Sequence, residues 1–130
     1  MASEGLHEPV ERLDDQTIDR HRAIVSLMEE FEAVDWYDQR VKATNDPTLA
    51  AILAHNRDEE KEHASMVLEW LRRRDPQLDK NLRTYLFTSL PVTEVEADEM
   101  RAEASGESTE AGSPGDASAS LGIGSLRGME

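Results

Sequence analysis

Ile52-Leu-Ala-His-Asn-Arg-Asp-Glu-Glu-Lys-Glu-His-Ala-Ser-Met-Val-Leu-Glu-Trp-Leu71 decides how this chain folds. Its apolar residues recur at alternating steps of four and three, the spacing that puts side chains on one face of an α-helix. Extended back to the preceding turn, the seam reads Leu49, Leu53, Asn56, Glu60, His63, Val67 and Trp70, flanked by Ile52, Met66 and Leu71. Three successive seam positions, Asn56, Glu60 and His63, are polar. Burying such groups without partners costs on the order of several kcal/mol, so something must satisfy them.

Working outward, Asp46-Pro47 opens this helix, with Asp46 suited to the N-cap and Pro47 to the first helical position, where the missing N–H would be unpaired anyway. The helix is predicted to run from Pro47 to about Arg74 and to stop at Asp75-Pro76, because proline biases its predecessor away from helical angles. A first helix is predicted from about Asp15 to Thr44, with a seam of Ala23, Leu27, Glu30, Val34, Tyr37 and Val41. The short break between them makes the pair an antiparallel hairpin. A third, shorter helix is expected over Asn81–Phe87. The fold class is therefore all-α: a two-helix hairpin plus a short C-terminal helix.

Glu30 is the seam acid of the first helix, and Glu60 and His63 are three positions apart on one face of the second. Carboxylate oxygens and an imidazole nitrogen, with no thiolate, suit iron, manganese or zinc. A four-helix di-iron bundle takes a Glu from each of two helices and a Glu-x-x-His pair from each of the other two. This chain supplies one of each, half of such a site, so a second copy is needed to complete it. The Glu-x-x-His spacing alone is unspecific, since Glu4 and His7 repeat it in a polar segment. A buried polar pair tied to Glu30 or to Arg22 is the competing reading. Glu29, Glu32 and Trp36 lie on a stripe turned away from Glu30, readable either as a solvated acidic face or as a funnel for ferrous ions.

Composition limits the alternatives. The 130 residues carry a formal charge of -14, which disfavours nucleic acid as a partner and favours cations. No apolar run approaches the roughly 18 residues of a membrane span, and the acidic N-terminus has no signal-peptide pattern, so a cytoplasmic protein is expected. The absence of cysteine excludes disulfides and thiolate metal sites. Aromatic residues end at Phe87, and the chain beyond Pro91 is rich in Glu, Ser, Ala and Gly. The domain reading is thus a helical domain at 1–95, a disordered acidic linker at 96–119 and a terminal peptide at 120–130. In that peptide, Leu121, Ile123 and Leu126 form an apolar island on a tether with a reach of about 25 Å, suited to docking in a partner's groove.

Met28-Glu-Glu-Phe-Glu-Ala-Val-Asp-Trp-Tyr-Asp-Gln-Arg40, Ile52–His63, Leu68-Glu-Trp-Leu-Arg-Arg73 and Leu82-Arg-Thr-Tyr-Leu-Phe-Thr88 resemble the encapsulated ferritins of bacteria over about residues 7–95. The resemblance implies a ferritin-like four-helix bundle formed only on dimerisation, and a ring, commonly a decamer, of such dimers. It places the ligands of a di-iron ferroxidase centre on Glu30, Glu60 and His63, Tyr37 close by, and a secondary metal site on Glu29, Glu32 and Trp36. Phe31 departs from the usual Leu. The implied activity is oxidation of ferrous iron by O₂ inside an encapsulin shell that stores the product, with the 120–130 peptide as the loading signal. A di-iron peroxidase is the alternative enzyme, although the chain lacks cysteine for a rubredoxin-like iron. A non-catalytic helical adaptor of the shell is the alternative outside enzymology.

Overall fold

The computed structural model describes residues 5–106, and among these every regular element is helical. A 3₁₀ turn at Val10–Arg12 precedes four α-helices: α1 Asp15–Ala43, α2 Pro47–Arg74, α3 Pro76–Tyr85 and α4 Val92–Ala104. None is long and apolar enough to cross a membrane. The chain divides into two compact units, one up to Lys80 and one from Asn81 onward.

The caps explain the first unit's boundaries. Asp14 is extended, and its carboxylate accepts the Thr17 N–H at 2.8 Å, satisfying one of the unpaired donors that open α1. Hydrogen bonding to the Thr17 side chain, and then to its N–H, holds the Asp14 carboxyl below its ordinary range. At Thr44 the chain becomes extended again, and the Thr44 hydroxyl accepts the Asp46 N–H at 3.1 Å, fixing the turn. Asp46 then caps α2 by accepting from Thr48 at 2.9 Å and Leu49 at 3.4 Å, with Pro47 at the first helical position as expected.

So short a turn folds α2 back along α1. The Arg57 guanidinium reaches Asp38 at 2.9 Å, while farther along α2 His63 comes 3.6 Å from Glu30, which lies earlier in α1. Rising numbers on one helix meet falling numbers on the other, so the pair is antiparallel. The hairpin nevertheless buries almost nothing by itself. Among the described residues only Ala64 and Leu71 are buried, whereas Ile24, Phe31, Ile52 and Met66 are each about half exposed or more. Two buried side chains cannot offset the conformational entropy of ordering helices of 29 and 28 residues. The apolar seam is built to be covered.

Two boundaries differ from the sequence reading. The third helix starts at Pro76 and not near Asn81, because Asp75 both ends α2 and caps α3, its carboxylate accepting the Leu78 N–H at 3.0 Å. Proline stops one helix and starts the next. An ion-paired corner stiffens this joint: Arg72 donates to Glu69 at 2.8 Å and also pairs with Asp79, and Arg73 donates to Glu69 at 2.7 Å.

In the second unit, α3 ends with the Leu86 N–H on the Leu82 carbonyl and the Thr88 hydroxyl on that of Tyr85. Phe87 follows in the left-handed region at φ 63°, fully exposed. That conformation costs a residue with a Cβ about 1–2 kcal/mol. Residues 96–104, read from sequence as the beginning of a disordered linker, belong to α4. Glu, Ala, Met and Arg are strong helix formers, and Pro91 opens the helix. The rest of the expected linker and the peptide with Leu121, Ile123 and Leu126 lie outside the described residues.

Candidate metal centre

Midway along the hairpin, one acid from α1 and an acid and an imidazole from α2 converge. Glu30, Glu60 and His63 place one ligand atom each within 4.8 Å of one another, the one such group of three or more among the described residues. His63 Nδ1 lies 3.1 Å from Glu60 Oε1 and 3.6 Å from Glu30 Oε1. The helical lean of side chains toward the N-terminus brings His63 back over Glu60, and the hairpin register supplies Glu30. Exposure of 26% for the Glu30 side chain, 24% for Glu60 and 46% for His63 leaves the group open on one side in the single chain.

The electrostatics belong to a site short of positive charge. Hydrogen bonding to Glu60, with partial desolvation and repulsion from the Glu60 charge, pushes the Glu30 carboxyl up from its ordinary value. The same bond from Glu30, helped by His63, holds Glu60 down, so the two acids titrate as a coupled pair. His63 is raised by its bond to Glu60, with the Glu30 and Glu59 charges adding to the effect. A bound cation favours the deprotonated form of all three groups and displaces any proton they carry as it binds. Two carboxylates and one imidazole fit iron(II), manganese(II) or zinc. Three donors leave coordination positions open, and a first-row ion prefers more ligands than this hairpin alone provides.

Of the competing sequence reading, a buried polar pair tied to Glu30 or to Arg22, the tie to Glu30 is present, with His63 3.6 Å away, and the tie to Arg22 is not. Arg22 instead pairs with Asp19, one turn earlier on α1, at 2.8 Å.

The chain matches the EncFtn-like family over residues 5–89. It belongs to that family. It is 60% identical over 128 residues to an encapsulated ferritin-like protein of Rhodospirillum rubrum, covering 98% of this chain and 91% of the relative. A ferritin-like protein of Thermotoga maritima is 57% identical over 94 residues, 72% of this chain and 82% of that protein. An encapsulin nanocompartment cargo protein of Myxococcus xanthus is 31% identical over 105 residues, 79% of this chain and 80% of its own length. Among solved structures, a crystal structure of a Nitrosomonas europaea protein superposes with a TM-score of 0.66 at 64% identity, covering 68% of this chain and 97% of that one. The all-α, ferritin-like fold class follows.

The remaining sequence candidates stand apart from the trio. Tyr37 is two helical turns beyond Glu30 on α1, half-buried, with the Arg40 guanidinium 5.5 Å from its ring centroid. Glu29 and Trp36 are exposed on α1 and Glu32 is half-buried between them. Within one chain these acids gain no third metal-competent partner among the described residues. The sequence reading missed Arg57 and Asp38, whose ion pair sets the register that aligns Glu30 with the α2 pair. Their signal was present but weak: opposite charges on facing helices, without a shared spacing from the turn to link them.

Proposed function

We propose that this EncFtn-like chain is a ferroxidase, oxidising ferrous iron with O₂ at a di-iron centre formed between two copies. The observation that carries the reading is the convergence of Glu30, Glu60 and His63 on an otherwise unburied apolar seam. One hairpin offers two carboxylates and one imidazole; a two-fold partner doubles this to four and two, the complement of a di-iron carboxylate bundle. The same contact covers the exposed seam and supplies the core that the hairpin lacks. Reduction of O₂ to hydrogen peroxide takes two electrons and two protons, and two Fe²⁺ becoming Fe³⁺ supply the electrons together. Iron is the substrate of this site as well as its ligand.

The role of the protein's own groups follows from their protonation. Iron binds the deprotonated carboxylates, so any proton on Glu30 or Glu60 leaves as it loads, and His63 must be neutral to donate its nitrogen lone pair. Tyr37 is assigned a place beside the assembled centre, and Glu29, Glu32 and Trp36 a secondary site that concentrates cations near it. The shell-cargo role rests on the relatives: proteins named as encapsulated ferritin-like and as encapsulin cargo are 60% and 31% identical to this chain. On that reading the protein works within an encapsulin nanocompartment of the bacterial cytoplasm, as a dimer or a ring of dimers, tethered through Leu121, Ile123 and Leu126.

An anaerobic ferrous titration with native mass determination, followed by O₂ uptake, tests the enzyme. Two irons per dimer and O₂ consumption abolished by Glu60→Ala or His63→Ala are expected. Wild-type turnover by either variant, with helix content unchanged, would falsify it. Faster oxidation by peroxide than by O₂ would reassign the centre as a peroxidase.

A further inference from the structure

Asn56 is the third polar residue on the α2 seam, and nothing in the proposed centre uses it. It lies one turn before Glu60, at the i, i+4 spacing that makes side chains neighbours on a helix. Among the described residues its half-buried carboxamide makes no side-chain hydrogen bond, and it is not cut off from water either. In the single chain water therefore satisfies it. When a second copy covers the seam that water is lost, and an unpaired amide there is costly. A hydrophobic residue at the same position would avoid the cost entirely, so the amide has a partner to find.

Side-chain lean identifies that partner. His63 leans back over the preceding turn, bringing Nδ1 to 3.1 Å from Glu60 Oε1. The same lean carries the Glu60 carboxylate over the turn that holds Asn56. Arg57, next in sequence, is tied to Asp38 at 2.9 Å, which links this turn of α2 to α1. Glu60 is an acceptor with four lone-pair directions, of which His63 and Glu30 engage only part. Metal-ligating carboxylates are themselves held by hydrogen bonds, and removing such a support costs roughly 10–100-fold in metal affinity.

We propose that Asn56 is a positioning residue of the metal centre: on assembly its carboxamide N–H donates to the Glu60 carboxylate and fixes the angle at which that ligand meets the ion. The proposal rests on the reading of Glu30, Glu60 and His63 as a metal site shared by two copies. Removing the donor should therefore loosen the metal without loosening the dimer.

The test uses the full chain and Co²⁺ as an oxygen-stable probe, reading affinity from its visible absorption and assembly from native mass. Asn56→Leu, with a good helix former on an apolar seam, is expected to keep or strengthen the dimer while Co²⁺ affinity falls roughly 10–100-fold. Asn56→Gln, which keeps the N–H donors, should restore most of the affinity. Asn56→Ala serves as a second donor-free variant if the leucine perturbs helix content. Unchanged Co²⁺ affinity in the donor-free variants, or loss of affinity that only tracks loss of the dimer, overturns the positioning role and leaves the metal site standing. A wild-type chain that binds no Co²⁺ overturns both.

Discussion

Two clusters of charge lie on α2 less than three turns apart, and they are finished to different degrees. At the corner with α3, Glu69 and Asp79 meet Arg72 and Arg73, and every charge has its opposite. At the centre of the hairpin, Glu30 and Glu60 meet only His63, and their mutual contact raises one acid and lowers the other. The corner drives Glu69 down to about 2 through its bonds to Arg72 and then Arg73, whereas the centre drives Glu30 up. Both use carboxylates on facing turns of helix. A structural cluster is closed by arginine, which cannot release its proton; a site for a cation is left open, with groups that can.

The largest effect expected from breaking this contrast comes at the centre. Glu30→Gln should lower ferrous or cobalt affinity on the order of a hundredfold or more. The same change should raise the stability of the metal-free protein slightly, by ~0.5 kcal/mol, since it removes one of two repelling acids that are partly screened by solvent. Chelator-treated samples in a urea titration would show it; a less stable apo variant would mean that the acid pair is structural. At the corner the pattern should invert. Arg72→Ala is expected to cost about 1 kcal/mol, discounted for the partial exposure of its partners, and to leave metal affinity unchanged. Isothermal titration with cobalt and urea midpoints measured side by side check both halves.

A smaller effect belongs to pH. The folded pKa of Glu69 lies below its ordinary 4.5, so its stabilisation is present above that value and is lost as pH falls toward about 2. Glu30 has the opposite sign: its folded pKa is raised, so its contribution declines as pH rises past the ordinary range. Urea midpoints of the metal-free protein, followed from neutral pH downward, should therefore fall less steeply in Arg72→Ala than in the wild type. They should fall more steeply in Glu30→Gln. Identical profiles for the two variants would erase the distinction between the clusters. Smallest of all, Asp46→Ala should cost about 1 kcal/mol or less through the lost cap, with no change in Co²⁺ stoichiometry.

The hairpin was legible in the sequence because its punctuation is chemical. Asp46 and Pro47 say where α2 begins, and the four-three spacing from Leu49 to Trp70 says which side faces the partner helix. Where one residue does two tasks, the reading failed. Asp75-Pro76 looked like a stop, and the same aspartate caps the next helix. The stretch after Pro91 looked like linker because its acids and lack of aromatics resemble disorder, yet the same Glu, Ala and Met are good helix formers in α4. At the centre, Glu60 and His63 could be paired by spacing within one helix. Bringing Glu30 to them required the inter-helix register, which depends on the three-residue turn and on Asp38 meeting Arg57, neither of which periodicity reports.

The shortness of the turn at Thr44–Asp46 has a kinetic consequence. It ties both acids and the imidazole of a half-site to one hairpin, so no chain can contribute only part of its share. On the proposed reading, the sole remaining variable is the meeting of two copies, which also supplies the core that one hairpin lacks. Oxidation per chain should then grow with concentration until pairing saturates and vanish on dilution, making abundance itself the throttle on a reaction whose by-product is peroxide. Confinement of many copies within a small volume would hold that throttle open.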